Sequence, residues 1–272
     1  MSGSLKQACV IGYPVSHSKS PDIHRYWIEK HQIPARYEAL TIDPEMFDQH
    51  IAHMKKQYVG WNVTLPYKTR MIDHLDKLTP SAASAGAVNT VYKDREGKWV
   101  GDNTDIAGIE CSLKDGASKF KSALILGAGG AARACIIALK NIGVKKIFIS
   151  NRSNTRLIKL QSFFPEIEIV PWSDVDEKIK DIDLLINATA CGLNNENLLP
   201  FNLMYISSQH TVLDIVYIPL KTEFLNIAEQ RGARIIDGLW MLLYQAMPGF
   251  QKWFGQKVSI DERLREKLEM LL

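Results

Sequence analysis

The sequence predicts a two-domain α/β protein, an amino-terminal, mostly parallel α/β domain followed by a nucleotide-binding one. Three features predict it. Strand-like and helix-like segments alternate over most of the 272 residues. A continuous apolar run, Ala123-Leu124-Ile125-Leu126, enters a glycine-rich turn and then an alanine-rich helix. The pattern becomes wholly helical after Gly238. Such alternation favours parallel strands joined by helical crossovers, and at roughly 150 residues per domain the length suits two domains.

Taken in order, Ala8-Cys9-Val10-Ile11 is a short apolar run stopped by Gly12 and Pro14, hence a buried strand and its turn. Pro21 suits a first helical turn with Ser20 as N-cap, and Ile23, Trp27 and Ile28 follow at helical spacing. Tyr37 to Ile42 alternates like a strand, Pro44 opens a polar helix carrying Met46, Ile51 and Met54, and Tyr58 to Thr64 returns to β-type residues. In the second half, strands are predicted from Ser122, at Lys146 to Ser150, Ile167 to Val170, Asp183 to Asn187, Val212 to Ile215 and Ala233 to Ile236. Helices close the chain at Leu239 to Phe254 and Asp261 to Leu272, the last with Leu264, Leu268 and Leu271 on one stripe. An apolar stripe on a tail must be covered. Packing back on the first domain would make that domain discontinuous, 1–104 completed by 239–272 around a nucleotide-binding domain at 105–238.

Composition excludes several classes. With 46% hydrophobic and 23% charged residues the chain can bury a core, so disorder is excluded as its main state. A net charge of +3 without a dense Lys/Arg block gives no case for nucleic-acid binding. The longest uncharged apolar stretch, Gly238 to Gln251, falls short of the roughly 18 residues of a membrane span and contains Pro248. Met1-Ser2-Gly3-Ser4 shows no signal-peptide pattern, and its glycine is out of place for myristoylation. Four scattered cysteines, Cys9, Cys111, Cys135 and Cys191, without a CxxC pair, suit a reduced, cytoplasmic protein. His50 and His53 form an HxxH pair with no third ligand evident, so no metal is expected.

The turn Gly127-Ala128-Gly129-Gly130-Ala131-Ala132 fits a dinucleotide site of Rossmann type. Its first glycine permits a tight turn, the second lets backbone approach a pyrophosphate, and the small last residue lets helix pack on strand. The helix start offers free N–H groups and the positive end of a dipole. After the next strand, where an NAD site usually carries Asp or Glu, stand Asn151-Arg152-Ser153 and Arg156. Guanidinium groups without a carboxylate suit a 2′-phosphate, which predicts NADP rather than NAD. The same arginines also suit an ordinary solvated helix start.

The first domain is polar where a core would be apolar. Gly12-Tyr13-Pro14-Val15-Ser16-His17-Ser18 follows the first strand, and Asn62-Val63-Thr64-Leu65-Pro66-Tyr67-Lys68 comes at the end of the third. Asn89-Thr90 lies near another strand start, and Asp102-Asn103-Thr104-Asp105 heads a helix. Hydroxyls, amides, one amine and one carboxylate beyond strand ends suit a small polyhydroxylated acid. Each piece also has an ordinary structural role, as turn residue, cap or surface lysine; their joint occurrence beside a dinucleotide turn favours a site.

On these residues the sequence resembles the shikimate dehydrogenase family, in its NADP-dependent shikimate/quinate branch. The matching pieces run in order along the chain: GYPVSHSKSPDIH at 12–24, NVTLPYK at 62–68, GAVNT at 86–90, GDNTD at 101–105, GAGGAAR at 127–133, NRS at 151–153, NAT at 187–189 and DGLWMLLYQA at 237–246. The resemblance implies a substrate domain and a Rossmann NADP domain, with shikimate or 3-dehydroshikimate as the small-molecule partner and a monomer or homodimer as the working form. It implies that Ser16 and Ser18 hold the substrate carboxylate, that Asn62, Thr64, Asn89 and Gln245 bind its hydroxyls with Tyr217 nearby, and that Lys68 and Asp105 are the catalytic pair. For the cofactor it implies Gly127, Gly129 and Gly130 at the pyrophosphate, with Ala128 and Ala131 also cofactor-binding. Arg152, Ser153 and Arg156 would face the adenosine 2′-phosphate, and Thr189 and Gly238 the nicotinamide half, with Asn151 and Val216 as further cofactor-binding residues. The chain departs from the family pattern at Ser153, where threonine is common, and at Trp240, where a small glycine often stands.

The implied reaction is reversible reduction of a ring ketone. Lys68 as an ammonium would stabilise the oxygen as it becomes negative and give it a proton, with Asp105 stabilising the ammonium and orienting the substrate. The rival readings are a quinate or NAD-preferring paralogue, against which Arg152 and Arg156 speak, and a non-enzymatic binding protein, against which the presence of both Lys68 and Asp105 speaks.

Overall fold

A computed structural model of the chain describes residues 5–272, apart from the side chains of Asp115, Ala117 and Ser118. Met1-Ser2-Gly3-Ser4, on which the targeting expectation rests, lies outside the described residues. The chain forms two compact units, one running to Asp105 and including 243–271, the other covering 106–242. Among the described residues no helix is long and apolar enough to cross a membrane, and no group of three or more His, Cys, Asp or Glu could hold a metal ion. His50 of the HxxH pair bonds through Nδ1 to the Met46 carbonyl.

The first unit begins with β1 (Lys6–Gly12), α1 (Ser20–Lys30), β2 (Ala35–Thr41), α2 (Phe47–Gln57) and β3 (Gly60–Val63). Then come β4 (Lys77–Leu78), α3 (Pro80–Ala85), β5 (Thr90–Lys93) and β6 (Trp99–Asp102). The sheet order is β2-β1-β3-β5-β6-β4. β1 is parallel to β2 and β3, and β4 to β6, while β5 runs antiparallel to both neighbours. The reversal comes from a short hairpin that a reading in βα units does not anticipate. Asp94 Oδ1 accepts the N–H groups of Glu96 and Lys98, both at 2.9 Å, and Gly97 takes φ +80. The side chain thus closes the turn that the chain direction needs.

Apolar material covers the sheet on both faces, as the buried run of β1 requires. Phe47, Ile51 and Met54 form the inward stripe of α2 and pack with Trp61, Val63, Tyr67 and Met71. The N-cap position of α1 is Lys19; Ser20 is buried inside the first turn, its N–H donating to Ser18 Oγ at 3.3 Å. That shift of one residue relative to the sequence expectation follows from Pro21, which is tolerated anywhere in a first turn.

The second unit holds most of α4 (Asp105–Leu113), then β7 (Ser122–Leu126), α5 (Gly130–Asn141), β8 (Lys146–Ser150), α6 (Asn154–Phe163), β9 (Glu168–Ile169) and α7 (Val175–Lys178). It continues with β10 (Leu184–Asn187), β11 (Thr211–Asp214), α8 (Glu223–Gln230) and β12 (Arg234–Ile236). All its ladders are parallel, in the order β12-β11-β10-β7-β8-β9. Counted from β7 this is the doubly wound order, with its switch point between β7 and β10.

α9 (Gly238–Phe254) and α10 (Glu262–Glu269) complete the chain. In the first unit Trp253 Nε1 donates to Val91 O at 2.8 Å and Trp27 Nε1 to Ser259 O at 3.1 Å. Asp261 caps α10 by accepting Leu264 N–H at 2.8 Å, and it also accepts the Tyr26 hydroxyl at 2.9 Å. Leu264 and Leu268 are buried. Leu271 lies past the helix end and is exposed, so the expected three-leucine stripe is two residues long.

Among these aromatic contacts His24 is wholly buried, stacked 4.1 Å from Tyr37 with Phe250 and Trp253 beyond, and neither ring nitrogen finds a partner. Burial drives its pKa down to about 3. The unfolded chain protonates this ring near its ordinary value while the folded chain resists until about 3, so the contribution to stability is complete above the unfolded pKa and drains away as pH falls. The loss reaches about 2 kcal/mol by about pH 5. His24→Phe is therefore expected to shrink the fall in unfolding free energy between neutral pH and about pH 5 by about 2 kcal/mol, read from urea titrations. An unchanged pH dependence would contradict the assignment.

Candidate functional site

Strand direction gathers the polar residues of the first unit at one sheet edge. β1 and β3 are parallel, so the loops that follow Gly12 and Val63 leave the same side. Because β5 is antiparallel, its start comes to that side too: Thr90 pairs with Asn62 and with Asp102. Backbone bonds lock the loops together. Tyr13 N–H donates to Leu65 O at 3.0 Å, Val88 N–H to Lys68 O at 2.7 Å, and Asn89 N–H to Asp102 O at 3.0 Å.

The result is an ion pair, Lys68 Nζ to Asp105 Oδ2 at 2.6 Å, between residues separated by a hairpin and two helical turns of chain. The carboxylate is the more enclosed partner, with side-chain exposures of 22% for Lys68 and 9% for Asp105. Asp105 is the first residue of α4, where the helix dipole favours a negative charge. Its second oxygen accepts from Asn89 Nδ2 at 2.7 Å. Asn89 is held in turn by Thr104, whose N–H donates to Asn89 Oδ1 at 2.7 Å. Gln245 Oε1 on α9 lies 3.4 Å from both Asn89 Nδ2 and Thr104 Oγ1. Both oxygens of Asp105 are therefore committed, while Lys68 keeps ammonium protons for another acceptor.

Asn62 is buried beneath this cluster. Its amide group donates to Asn89 O at 3.2 Å and Thr90 Oγ1 at 3.0 Å, and its Oδ1 accepts the Tyr37 hydroxyl at 2.6 Å. It can offer a ligand only a remaining lone pair on Oδ1, since both amide hydrogens are spent. Ser16 is exposed, Ser18 half-buried, and Thr64 half-buried with its N–H donating to Ile11 O at 2.9 Å. Thr104, Thr90 and Tyr37 had no assigned role in the sequence. Thr104 sits inside the Gly-Asp-Asn-Thr-Asp motif, one residue before Asp105. Tyr37, on β2, carries no local signal.

In the second unit the parallel strands deliver Gly127, Arg152, Thr189, Val216, Tyr217 and Gly238 to one edge, each just past the carboxyl end of β7, β8, β10, β11 or β12. Gly127 takes φ +114, and a Cβ there would stand 2.9 Å from Ala188 O. Only glycine fits. Gly129 and Gly130 differ: a Cβ at either would meet nothing within 4 Å. No packing requires them, and α5 starts at this point without a side-chain cap. Open space beside free helix N–H groups is the geometry of an anion cradle. Arg152 and Arg156 are exposed where β8 gives way to α6, with Asn151 Nδ2 donating to Ser153 O at 3.2 Å.

One buried network in this unit was not foreseen. Asn187 Nδ2 donates to Asp214 Oδ1 at 2.9 Å, and Asn187 Oδ1 accepts the Thr189 hydroxyl at 2.7 Å. Asp214 also accepts the Thr222 hydroxyl at 2.6 Å and Val216 N–H at 3.0 Å. Burial pushes its carboxyl up to about 6, against the downward pull of those three donors.

Comparison with known proteins draws both units into one family. Residues 10–91 match the shikimate dehydrogenase substrate binding domain, and residues 112–199 match the shikimate / quinate 5-dehydrogenase family. A shikimate dehydrogenase (NADP(+)) of Pelagibacter ubique is 41% identical over 268 residues, 97% of this chain and 99% of that one. The crystal structure of shikimate dehydrogenase from Aquifex aeolicus is similar with a TM-score of 0.89 and 38% identity, covering 98% of each chain. Shikimate 5-dehydrogenase from Thermus thermophilus, in complex with NADP(H) and shikimate, is similar with a TM-score of 0.87 and 34% identity, covering 98% of this chain and 99% of that one.

The two kinds of glycine in the turn separate by experiment. Gly127→Ala is expected to destabilise the chain by about 1–3 kcal/mol or more through strain and collision with Ala188. Gly129→Ala is expected to stay within about 1 kcal/mol of the parent. Chemical denaturation of the two variants checks this, and equal losses would mean that Gly129 is packed after all.

Proposed function

The chain belongs to the shikimate dehydrogenase family, and from that premise we propose how its own residues interconvert 3-dehydroshikimate and shikimate with NADP. The observation that carries the reading is the Lys68–Asp105 pair at 2.6 Å, in a chain similar to NADP-linked dehydrogenases over 97% of its length.

The second unit has the donor set that NADP requires. The open backbone at Gly129 and Gly130 would receive the pyrophosphate, with Ala128 and Ala131 beside it, and Gly127 would shape the turn. Arg152 and Arg156, with Ser153 and Asn151, would hold the 2′-phosphate, since guanidinium pairs bidentately with such an anion. Thr189, Val216 and Gly238 would border the nicotinamide half. When bound, NADPH supplies the hydride.

The remaining work falls to the first unit. Ser16 and Ser18 would hold the substrate carboxylate, and Thr64, Asn89, Gln245 and the free lone pair of Asn62 its hydroxyls. Lys68, as an ammonium tied on one side to Asp105, points a proton at the ring oxygen as that oxygen becomes negative. In the reverse direction the neutral amine takes the proton of the hydroxyl. Asp105 keeps the amine in place, and Asn89 and Thr104 keep Asp105 in place. The free thiols of Cys9, Cys111, Cys135 and Cys191 fit a reducing compartment, so we assign the reaction to the cytoplasm.

Lys68→Ala is expected to lower kcat by about 10²–10⁴-fold while the KM for shikimate moves only a few-fold, measured by NADP⁺ reduction. Near-normal turnover would remove Lys68 from the chemistry. Quinate run beside shikimate in the same assay fixes the substrate. Arg152→Ala is expected to raise the KM for NADPH about tenfold and leave that for NADH nearly unchanged. Equal losses for both would make the arginine structural.

A further inference from the structure

Asp214 is a wholly buried carboxylate at the carboxyl end of β11, and the reaction does not need it. Its partners are Asn187 Nδ2 at 2.9 Å, Val216 N–H at 3.0 Å and the Thr222 hydroxyl at 2.6 Å. None of them is a cation. A buried charge met only by neutral dipoles is costly, so the site must exact something in return. What Asp214 offers here is acceptance, one oxygen taking both Asn187 Nδ2 and Val216 N–H and the other the Thr222 hydroxyl.

The donors belong to three separate pieces of the dinucleotide edge. Val216 opens the loop after β11, and Thr222 is the N-cap of α8, accepting Leu225 N–H. Asn187 ends β10 and organises the turn that follows. Its Oδ1 accepts Thr189 N–H at 3.1 Å and the Thr189 hydroxyl at 2.7 Å, and its Nδ2 also reaches Cys191 O at 3.1 Å. Thr189 Oγ1 then accepts Cys191 N–H at 3.0 Å. The turn so fixed abuts the glycine turn, because the Cβ direction of Gly127 points at Ala188 O and, 3.0 Å away, at Thr189 Cγ2. The orientation of Asn187 decides the whole arrangement. With Asp214 opposite, only its amide nitrogen can face β11, so its oxygen must face Thr189.

We propose that Asp214 is a positioning residue which, by orienting Asn187, sets the Thr189–Cys191 turn and so governs affinity for the nicotinamide half of the dinucleotide. This rests on the reading of the second unit as the NADP site. It separates the two halves of the ligand: the 2′-phosphate end, at Arg152 and Arg156, lies beyond β8, while the hydrogen-bond partners of Asp214 are Asn187, Val216 and Thr222.

The test is binding of NADP⁺ and of adenosine 2′,5′-bisphosphate, which lacks the nicotinamide half, by calorimetric titration of the full chain. Asp214→Ala and Asn187→Ala are each expected to weaken NADP⁺ at least tenfold and to leave adenosine 2′,5′-bisphosphate within twofold. Asp214→Asn is expected to bind NADP⁺ within about threefold of the parent: its amide oxygen still accepts from Asn187 and Val216, while the Thr222 hydroxyl turns to accept. Equal weakening of both ligands in the alanine variants, or no weakening of either, would overturn the proposal. Should Asp214→Ala fail to fold, Asn187→Ala decides alone, since Asp214 keeps two of its three partners there. Failure of the unaltered chain to bind either molecule is a different result, one that overturns the NADP reading itself.

Discussion

An enclosed carboxylate has to be met on every side, and in the first unit that requirement organises the site. Asp105 has one oxygen on Lys68 and the other on Asn89, and Asn89 is turned the right way round by Thr104. Removing either charge would strand the other in a poorly solvated place, at a cost of about 3–5 kcal/mol for a buried pair. The amine is therefore delivered to one spot with protons to spare, which is what a proton donor to a ring oxygen needs. The position of the amine is thus a consequence of satisfying one charge.

Chain direction makes this possible. The end of β3 and the start of β5 share an edge only because β5 is reversed, and a single aspartate, Asp94, closes the hairpin that reverses it. The second unit solves the equivalent problem without reversal, since its six parallel strands all release their loops on one side. There too a buried carboxylate, Asp214, is met by donors from several loops. Both units thus bind loops that are distant in sequence through one acid group, exposed to a cation in the first case and sealed among dipoles in the second.

The glycine turn was legible because its meaning is local: strand, Gly127-Ala128-Gly129, helix. The inward positions of Ile51 and Met54 were legible through periodicity, whereas Met46, expected beside them, is exposed just before the helix and Phe47 takes the buried place. Lys68 and Asp105 stood out as the amine and carboxylate of the polar segments, but their pairing came through a family resemblance, and nothing in their spacing implied contact. The role of Tyr37 under Asn62 was not legible at all, because a tyrosine on an alternating strand looks like any core residue. Asp214 falls within the predicted strand Val212 to Ile215, where nothing in the sequence marks it as the acceptor of three donors.

By itself, the sequence determined the α/β alternation, the glycine-rich turn between strand and helix and the absence of a carboxylate after β8. Each follows from backbone propensity, periodicity or charge within a few neighbouring residues. Only the tertiary structure decided which polar groups are spent and which remain free: that Asn62 has given away both amide hydrogens, that Gly129 faces open space while Gly127 is packed, and that Asp214 holds Asn187. Hydrogen-bond satisfaction is a property of groups brought together from distant parts of the chain, and no local pattern encodes it.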